Sequence, residues 1–158
     1  MKNINISILQ LFVFCVFTAN SLSINAAGQT DLDEAVLGGW LEGYEKAWEM
    51  RDADKAAALF TEDATYQDDP YKEPHKGRQA IRDYWAGVTA DQDNIDFSYE
   101  ILSINGNKGI VHWHSEFLQP SSGSTIILDG IFYLTFTSAG LCSDLKEWWH
   151  LKVIPPAE

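Results

Sequence analysis

The chain has 158 residues and a formal net charge of −12 at pH 7, and its length favours a single domain. The acidic balance argues against nucleic acid and anionic membrane surfaces as partners, because binding to either requires basic patches. The charge gives no information about a small-molecule substrate.

The N-terminal segment has the order of a secretory signal peptide. Lys2 provides an early positive charge, residues 8–19 form a largely apolar run, and Ala26 and Ala27 offer small residues for cleavage. The run is shorter than the roughly 20 apolar residues that span a bilayer. This order is typical of a cleaved secretory signal.

We therefore expect residues 1–27 to be removed and residues 28–158 to form an exported domain, in a periplasm or outside the cell. After removal we expect no membrane partner; an uncleaved membrane anchor is the alternative. Cleavage would take Cys15 with it and leave Cys142 alone. A single thiol forms no internal disulfide, so packing must stabilise the domain. Cys142 is interpreted as a strand residue.

Three helices are predicted in the first part of the mature domain. The first has an apolar stripe at helical spacing, made of Leu37, Trp40, Leu41, Tyr44 and Trp48. The second is short, over residues 55–60, and begins after an aspartate cap. The third begins near Gly77 and has a stripe made of Ala80, Ile81, Tyr84, Trp85 and Val88.

A proline-broken loop separates a short predicted strand, residues 64–68, from the third helix. Pro70 and Pro74 remove backbone donors, so the residues between them belong to neither a strand ladder nor a helix interior. Asp68 is thereby predicted at the mouth of this loop, near Tyr66. A carboxylate among aromatic rings is a candidate proton shuttle. The alternative is a turn residue that bonds its own backbone.

From residue 94 onward the hydrophobic period changes to two. Four strands are predicted, over residues 95–104, 109–118, 125–137 and 141–153. The Asn105-Gly106-Asn107 segment is a strong hairpin signal between the first two. Helices followed by a meander of strands indicate an α+β domain.

The segment 59–85 resembles the nuclear-transport-factor-2-like superfamily. The shared pattern is F-x-x-D-A-x-Y, then D-P in the loop, then G-x-x-A-I-x-x-Y-W. The superfamily includes SnoaL-like polyketide cyclases, ketosteroid isomerases and limonene epoxide hydrolases, together with many proteins of no known activity. The resemblance covers about residues 32–153. It implies three helices on a strongly curved antiparallel sheet, a cone-shaped pocket and a homodimer formed by the outer sheet face.

The ketosteroid isomerases give the sharpest comparison for the site. Matched to them, Asp68 falls on the general base and Tyr44 on the tyrosine of the oxyanion hole. Their protonated aspartate, which completes that hole, falls on Phe132. The resemblance therefore argues against steroid isomerisation and leaves another proton transfer, a cyclisation or a hydration based on Asp68 open. This chemistry uses no metal and no organic cofactor.

The predicted ligand is a small, mostly apolar molecule, because aromatic-lined cavities are usual for such ligands. Besides Tyr44, the residues expected to shape the cavity are Trp48, Tyr66, Trp85, Trp113, Phe132 and Trp148. The alternative for the six tryptophans is that they fill the core or a dimer interface. For the whole protein, the alternative is a non-catalytic ligand-binding or assembly module of the same fold.

Alternation along two strands leaves further candidates. His112, His114 and Glu116 share one face of their strand and could bind a metal, or form a solvated or dimer-facing polar row. The isomerase match places them on the outer face, whereas the sequence alone leaves open which face of the strand is inward. No metal site is predicted, because no third ligand is fixed by spacing. On the last strand, Trp148 and His150 share one face, and Glu147 and Trp149 share the other.

Overall fold

The structure is a computed structural model that describes residues 31–157. The predicted signal peptide, residues 1–27, lies outside the described residues. The helices are α1 (Glu34–Glu49), α2 (Ala53–Ala58) and α3 (Arg78–Val88), and a single 3₁₀ turn covers Thr89–Asp91. The strands are β1 (Phe60–Gln67), β2 (His75–Lys76), β3 (Asp93–Asn105), β4 (Lys108–Gln119), β5 (Ser124–Phe136) and β6 (Cys142–Ile154). Within residues 31–157, none of the helices has the length and apolar character needed to cross a membrane.

Aspartate caps set the starts of the first two helices. The Asp33 carboxylate accepts a hydrogen bond from the Val36 amide at 2.8 Å, and Asp52 accepts one from the Lys55 amide at 3.0 Å. The predicted second helix was wrong at its C-terminal end, because Phe60 already belongs to β1. That strand also starts four residues earlier than predicted.

The six strands form one sheet in the order β2-β1-β6-β5-β4-β3. The predicted four-strand meander is confirmed as β3 to β6, each strand antiparallel to the next. The predicted curved antiparallel sheet is confirmed, and within it β1 pairs with β6 in parallel. This pairing is possible because α3 and four strands intervene between the two in the chain.

The helices cover one face of the curved sheet, and the core lies between these two layers. On β4, Val111, Trp113, Ser115 and Phe117 are buried, whereas His112, His114 and Glu116 point to the opposite face, as the alternation predicted. The predicted α+β class, with three helices on a curved sheet, is confirmed. Cys142 is the first residue of β6 and is buried, as its interpretation as a strand residue required.

Candidate functional site

A cavity of about 430 Å³ lies between the helices and the concave face of the sheet. Its aromatic lining is formed by Tyr44, Trp48, Tyr66, Tyr84, Trp85, Trp113, Phe117 and Trp149. Aliphatic residues from β5 and β6 complete the apolar wall, and the polar lining is formed by Asp68, Asp91, Gln92, Gln119 and Glu147. The cavity is thus mostly apolar with a few polar groups, which is the usual composition of a small-molecule site.

A chain of three buried side chains forms one wall of the cavity. The Tyr66 hydroxyl donates a hydrogen bond to Oε1 of Glu147 at 3.0 Å, and the Tyr44 and Tyr66 hydroxyl oxygens are 3.1 Å apart. A phenol has one proton, so a Tyr66 that donates to Glu147 accepts from Tyr44. Burial and the nearby Glu147 raise the pKa of both tyrosines, which therefore remain neutral. The Tyr44 hydroxyl, expected from the resemblance to bond the ligand, is instead committed to Tyr66.

Glu147 is the buried carboxyl of the site and is only 6% exposed. Burial and the negative charge of Asp68 raise its pKa to about 8, against the opposing effect of the Tyr66 hydrogen bond. The carboxyl is therefore mostly protonated at neutral pH. Its Oε1 atom accepts from Tyr66, which leaves Oε2 to hold the proton.

Glu147 was not among the predicted site residues. It is the direct cross-strand partner of Phe132, the residue that the resemblance placed on the protonated aspartate of the isomerases. Directly opposed residues of an antiparallel pair point to the same face of the sheet. The structure therefore supplies a buried carboxyl from β6 next to the position where β5 has an apolar ring.

Asp68 lies at the rim of the same cavity, directly after β1, and its side chain is 17% exposed. Its Oδ1 atom is 3.5 Å from Nε2 of His75. The His75 ring packs on Tyr84 with ring centroids 4.3 Å apart, and Tyr84 packs on Tyr66 at 5.1 Å. Burial, Glu147 and Asp68 raise the pKa of Tyr84. Aromatic packing thus connects the rim with the buried hydroxyl chain.

The turn role that was the alternative for Asp68 belongs to its neighbour, Asp69. The Asp69 carboxylate accepts a hydrogen bond from the Tyr71 amide at 2.9 Å and lies 3.1 Å from the Lys72 ammonium. These contacts lower the pKa of Asp69. Asp69 therefore shapes the loop, and the side chain of Asp68 lines the cavity.

A second polar group of the cavity surrounds Gln92, which connects the 3₁₀ turn to β3. Its Oε1 atom accepts a hydrogen bond from the Trp48 indole at 2.7 Å, and its backbone carbonyl accepts one from Arg51 at 2.9 Å. Nearby, Asp91 accepts a hydrogen bond from the Ser121 amide at 3.0 Å. These bonds hold the turn against α1 and the β4–β5 loop.

Two predicted cavity residues are placed differently by the structure. Trp148 points to the outer face of β6 and is 52% exposed, while its neighbour Trp149 lines the cavity. Phe132 is fully buried and stacks on Trp113 with ring centroids 5.1 Å apart, so it lies behind the cavity wall. Of the other predicted residues, the structure brings together Tyr44, Trp48, Tyr66, Asp68, Trp85 and Trp113.

The histidines of β4 lie on the outer face of the sheet. Nε2 of His112 is 3.1 Å from one Asp129 oxygen, and Nδ1 of His114 is 3.4 Å from the other. Both histidines hold the pKa of Asp129 below its usual value. Among residues 31–157, no three His, Cys, Asp or Glu side chains form a group able to hold a metal ion.

Comparison with known proteins gives a family and a fold. The model of the SnoaL-like domain matches residues 41–144, which is well over half of the chain. No curated protein matches the chain significantly.

The solved structures of similar fold include the epoxide hydrolase/cyclase-like enzyme SalBIII of pyran ring formation in salinomycin. It is 23% identical, with a TM-score of 0.64 over 75% of this chain and 93% of that chain. The Δ5-3-ketosteroid isomerase from Mycobacterium sp. is 15% identical, with a TM-score of 0.64 over 75% and 98% of the two chains. A computationally designed 17-OHP binder is 17% identical, with a TM-score of 0.62 over 72% and 93%.

At these identities the three structures establish a common fold with this chain, and the activities in their names describe those proteins alone. The family match begins in the middle of α1, covers the proline-broken loop and β3 to β5, and ends at residue 144, near the start of β6. By this match and this architecture, the chain belongs to the SnoaL-like domain family.

Proposed function

We propose that this protein binds a small, mostly apolar carbonyl compound in the aromatic cavity and catalyses a cofactor-free proton transfer on it. The observation that carries the proposal is the pair of carboxyl groups in one cavity with opposite environments. Glu147 is buried, hydrogen-bonded to Tyr66 and protonated at neutral pH. Asp68 lies at the rim and is partly open to solvent. Such a pair divides the roles of acid and base between two residues.

In the proposed reaction, Asp68 removes a proton from the carbon next to the substrate carbonyl. The C–H electron pair becomes the C=C bond of an enol, while the carbonyl oxygen takes the proton from Oε2 of Glu147. In a substrate with a C=C bond one position further from the carbonyl, this enol is a conjugated dienol. Return of the Asp68 proton to the far carbon of the dienol moves the C=C bond next to the carbonyl carbon, and return of the enol proton to Glu147 completes the isomerisation. Both carboxyl groups then regain their starting states, so no co-reactant is consumed.

The tyrosine chain supports this division of roles. When Glu147 gives up its proton, the carboxylate that remains keeps the hydrogen bond from Tyr66, and Tyr44 supports Tyr66 in turn. A hydrogen bond to a charged acceptor is about twice as strong as one to a neutral acceptor. The chain therefore stabilises the charge that develops on Glu147 during the reaction.

The apolar lining supports the proposed ligand class. The names of two structural relatives, a ketosteroid isomerase and an epoxide hydrolase/cyclase-like enzyme, are consistent with cyclic and oxygenated apolar compounds. In the match to the ketosteroid isomerases, Phe132 stands in place of their protonated aspartate. In our proposal, Glu147 on the neighbouring strand takes the role of that aspartate.

The test measures whether the protein catalyses the exchange of hydrogen for deuterium at the carbon next to the carbonyl of apolar cyclic ketones. The reaction is run in heavy water, and mass spectrometry detects the deuterium that the ketone takes up. Exchange by the wild-type protein should fall at least about 100-fold in Asp68→Asn, because general base catalysis contributes that much. Asp69→Asn is the matched control, since Asp69 is the adjacent aspartate and holds only the loop. Ketones that bind but exchange equally with wild-type protein and Asp68→Asn would favour the non-catalytic binding module instead.

The proposal extends to export and to a homodimer. Export rests on the signal-like order of residues 1–27 and is tested by the mass of the protein recovered outside the cytoplasm. The homodimer would use the outer sheet face, and the exposed Ile110, Trp148 and Ile154 side chains there support it. Sedimentation of wild-type protein and Trp148→Lys tests this, with a monomeric wild-type protein as the contradicting result.

A further inference from the structure

The hydrogen bond from the Trp48 indole fixes the orientation of the Gln92 side-chain amide. An indole nitrogen only donates, so the atom of Gln92 that faces Trp48 at 2.7 Å must be the carbonyl oxygen. The amide nitrogen therefore lies on the other side of the planar group. It has no hydrogen-bond partner within residues 31–157, although the side chain is only 6% exposed and lines the cavity.

Two other donors near the cavity differ from Gln92 in their accessibility. The indole nitrogens of Trp85 and Trp113 have no partner among the described residues either, and both atoms are completely enclosed. The Gln92 nitrogen is not in that enclosed set. Because Gln92 lines the cavity, its nitrogen is a donor open to a molecule bound there. A ligand acceptor at this position would gain a hydrogen bond for which the described residues supply no competing acceptor.

Gln92 lies at a different end of the cavity from Glu147. It directly precedes β3, whose first residue, Asp93, is paired with Leu118 near the end of β4. On β6, this end of the sheet corresponds to Val153, which is paired with Ile126 and lines the cavity. Val153 lies six residues beyond Glu147, and a strand rises about 3.3 Å per residue. Apolar side chains, including Trp149 and Leu151, line the wall between the two ends.

We propose that Gln92 is a ligand-binding residue whose amide nitrogen donates a hydrogen bond to an acceptor oxygen at the far end of the substrate. The substrate is then an elongated apolar molecule with a reactive carbonyl at the Glu147 end and a second acceptor oxygen at the Gln92 end. This inference rests on the proposed function, because it takes the Glu147 end as the reacting end. It adds a specificity requirement that the acid–base pair alone does not impose.

The test uses fluorescent naphthols as probes. Each carries its phenol at one end and, at the other, a methyl ketone attached directly or through one or two methylene groups. Each ketone is paired with the hydrocarbon analogue that lacks only the ketone oxygen. In wild-type protein, the ketone of the best-fitting pair should bind about tenfold tighter than its analogue, the usual worth of one hydrogen bond to a buried donor.

Gln92→Glu removes the donor and keeps an oxygen that accepts from the Trp48 indole. It should abolish the ketone preference or reverse it, while the hydrocarbon analogue still reports an intact cavity. Gln92→Met, which removes the donor without adding charge, should give the same loss. Gln79→Glu is the matched control, because Gln79 is an exposed glutamine of α3 that does not line the cavity and donates to Asp83 at 2.9 Å. It should keep the preference.

Two results would overturn the inference, and they are distinguishable. Equal binding of ketone and hydrocarbon at every length in wild-type protein, or a preference that survives both Gln92 variants, removes the role of Gln92 and leaves the proposed acid–base function standing. Failure of every naphthol to bind, with no deuterium exchange into cyclic ketones, removes the proposed function and the inference together.

Discussion

Glu147 and Tyr66 are joined by a 3.0 Å hydrogen bond, and both are buried in the wall of the cavity. Their backbones come from two strands that run in parallel, with Tyr66 paired with Leu145 and Gln67 paired with Lys146. The parallel pairing of β1 with β6 is thus what brings the carboxyl to the hydroxyl chain. The sequence predicted neither the parallel pair nor the buried glutamate, and the hydrogen bond between Tyr66 and Glu147 depends on both.

The raised pKa of Glu147 predicts how stability changes with pH. In the unfolded chain a glutamate titrates near its ordinary pKa of 4.5, whereas in the folded protein Glu147 titrates at about 8. Between these values the folded state binds more protons than the unfolded state, so the free energy of unfolding falls as pH rises through this range. Above about pH 8 Glu147 is charged in the folded protein, and the loss in the free energy of unfolding reaches its full value of several kcal/mol.

Glu147→Gln should remove this dependence. Urea denaturation of the two proteins should give similar stability at pH 5 and a more stable variant at pH 9, because glutamine keeps the acceptor for Tyr66 without a charge to bury. Equal stability of the two proteins at pH 9 would contradict a buried, protonated glutamate. Activity that uses the Glu147 proton should likewise decline as pH rises through about 8.

Two substitutions next to Glu147 should move its pKa in opposite directions. The Tyr66 hydrogen bond favours the charged carboxylate, whereas the charge of Asp68 disfavours it. Tyr66→Phe should therefore raise the pKa of Glu147, and Asp68→Asn should lower it. NMR titration of carbon-labelled glutamate side chains measures both shifts. Shifts of the same sign in the two variants would mean that a change of burial, and not these two contacts, controls the pKa.

The fold was largely predictable from sequence because its signals are local. Apolar stripes at helical spacing marked α1 and α3, and the Asn105-Gly106-Asn107 turn fixed the first hairpin of the meander. The pairing of β1 with β6 was not predictable in this way, because no turn connects them and their residues lie about 80 apart in the chain. The ends of the four meander strands moved by one or two residues, as expected where hydrogen-bond ladders fray.

The site was predicted in part, for a related reason. Asp68 and Tyr44 came from the resemblance, and the structure brings both to one cavity. For β6, alternation separated Glu147 and Trp149 from Trp148 and His150 without saying which pair faced inward. Next to the Ser138-Ala139-Gly140 turn Phe136 pairs with Cys142, and the same register continued along the hairpin would set Lys146 opposite Phe132. A register shift between Thr135 and Phe136 instead sets Glu147 there. Glu147 was therefore missed because no local sequence signal marked this shift.

Gly130 should not tolerate a side chain. It lies between Trp113 and Trp149 across three strands, and a Cβ atom there would come within 2.6 Å of the Trp148 carbonyl oxygen and 2.8 Å of the Trp149 Cβ. Gly130→Ala should lower the free energy of unfolding by about 1–3 kcal/mol, the usual cost of overpacking. Gly38→Ala in α1 is the control, since a Cβ atom at that position would have no neighbouring atom of the described residues within 4 Å. It should stabilise the helix by up to about 1 kcal/mol.

The adjacent tryptophans of β6 should separate ligand binding from surface effects. Trp149 lines the cavity and is 41% exposed at its mouth, whereas Trp148 is 52% exposed on the opposite face. Trp149→Ala should weaken the binding of a naphthol probe about tenfold or more, because an aromatic wall is lost. Trp148→Ala removes the same side chain one residue earlier, so it should leave probe affinity unchanged. Fluorescence titration of the two variants measures this difference, and a loss of affinity in Trp148→Ala as large as that in Trp149→Ala would contradict it.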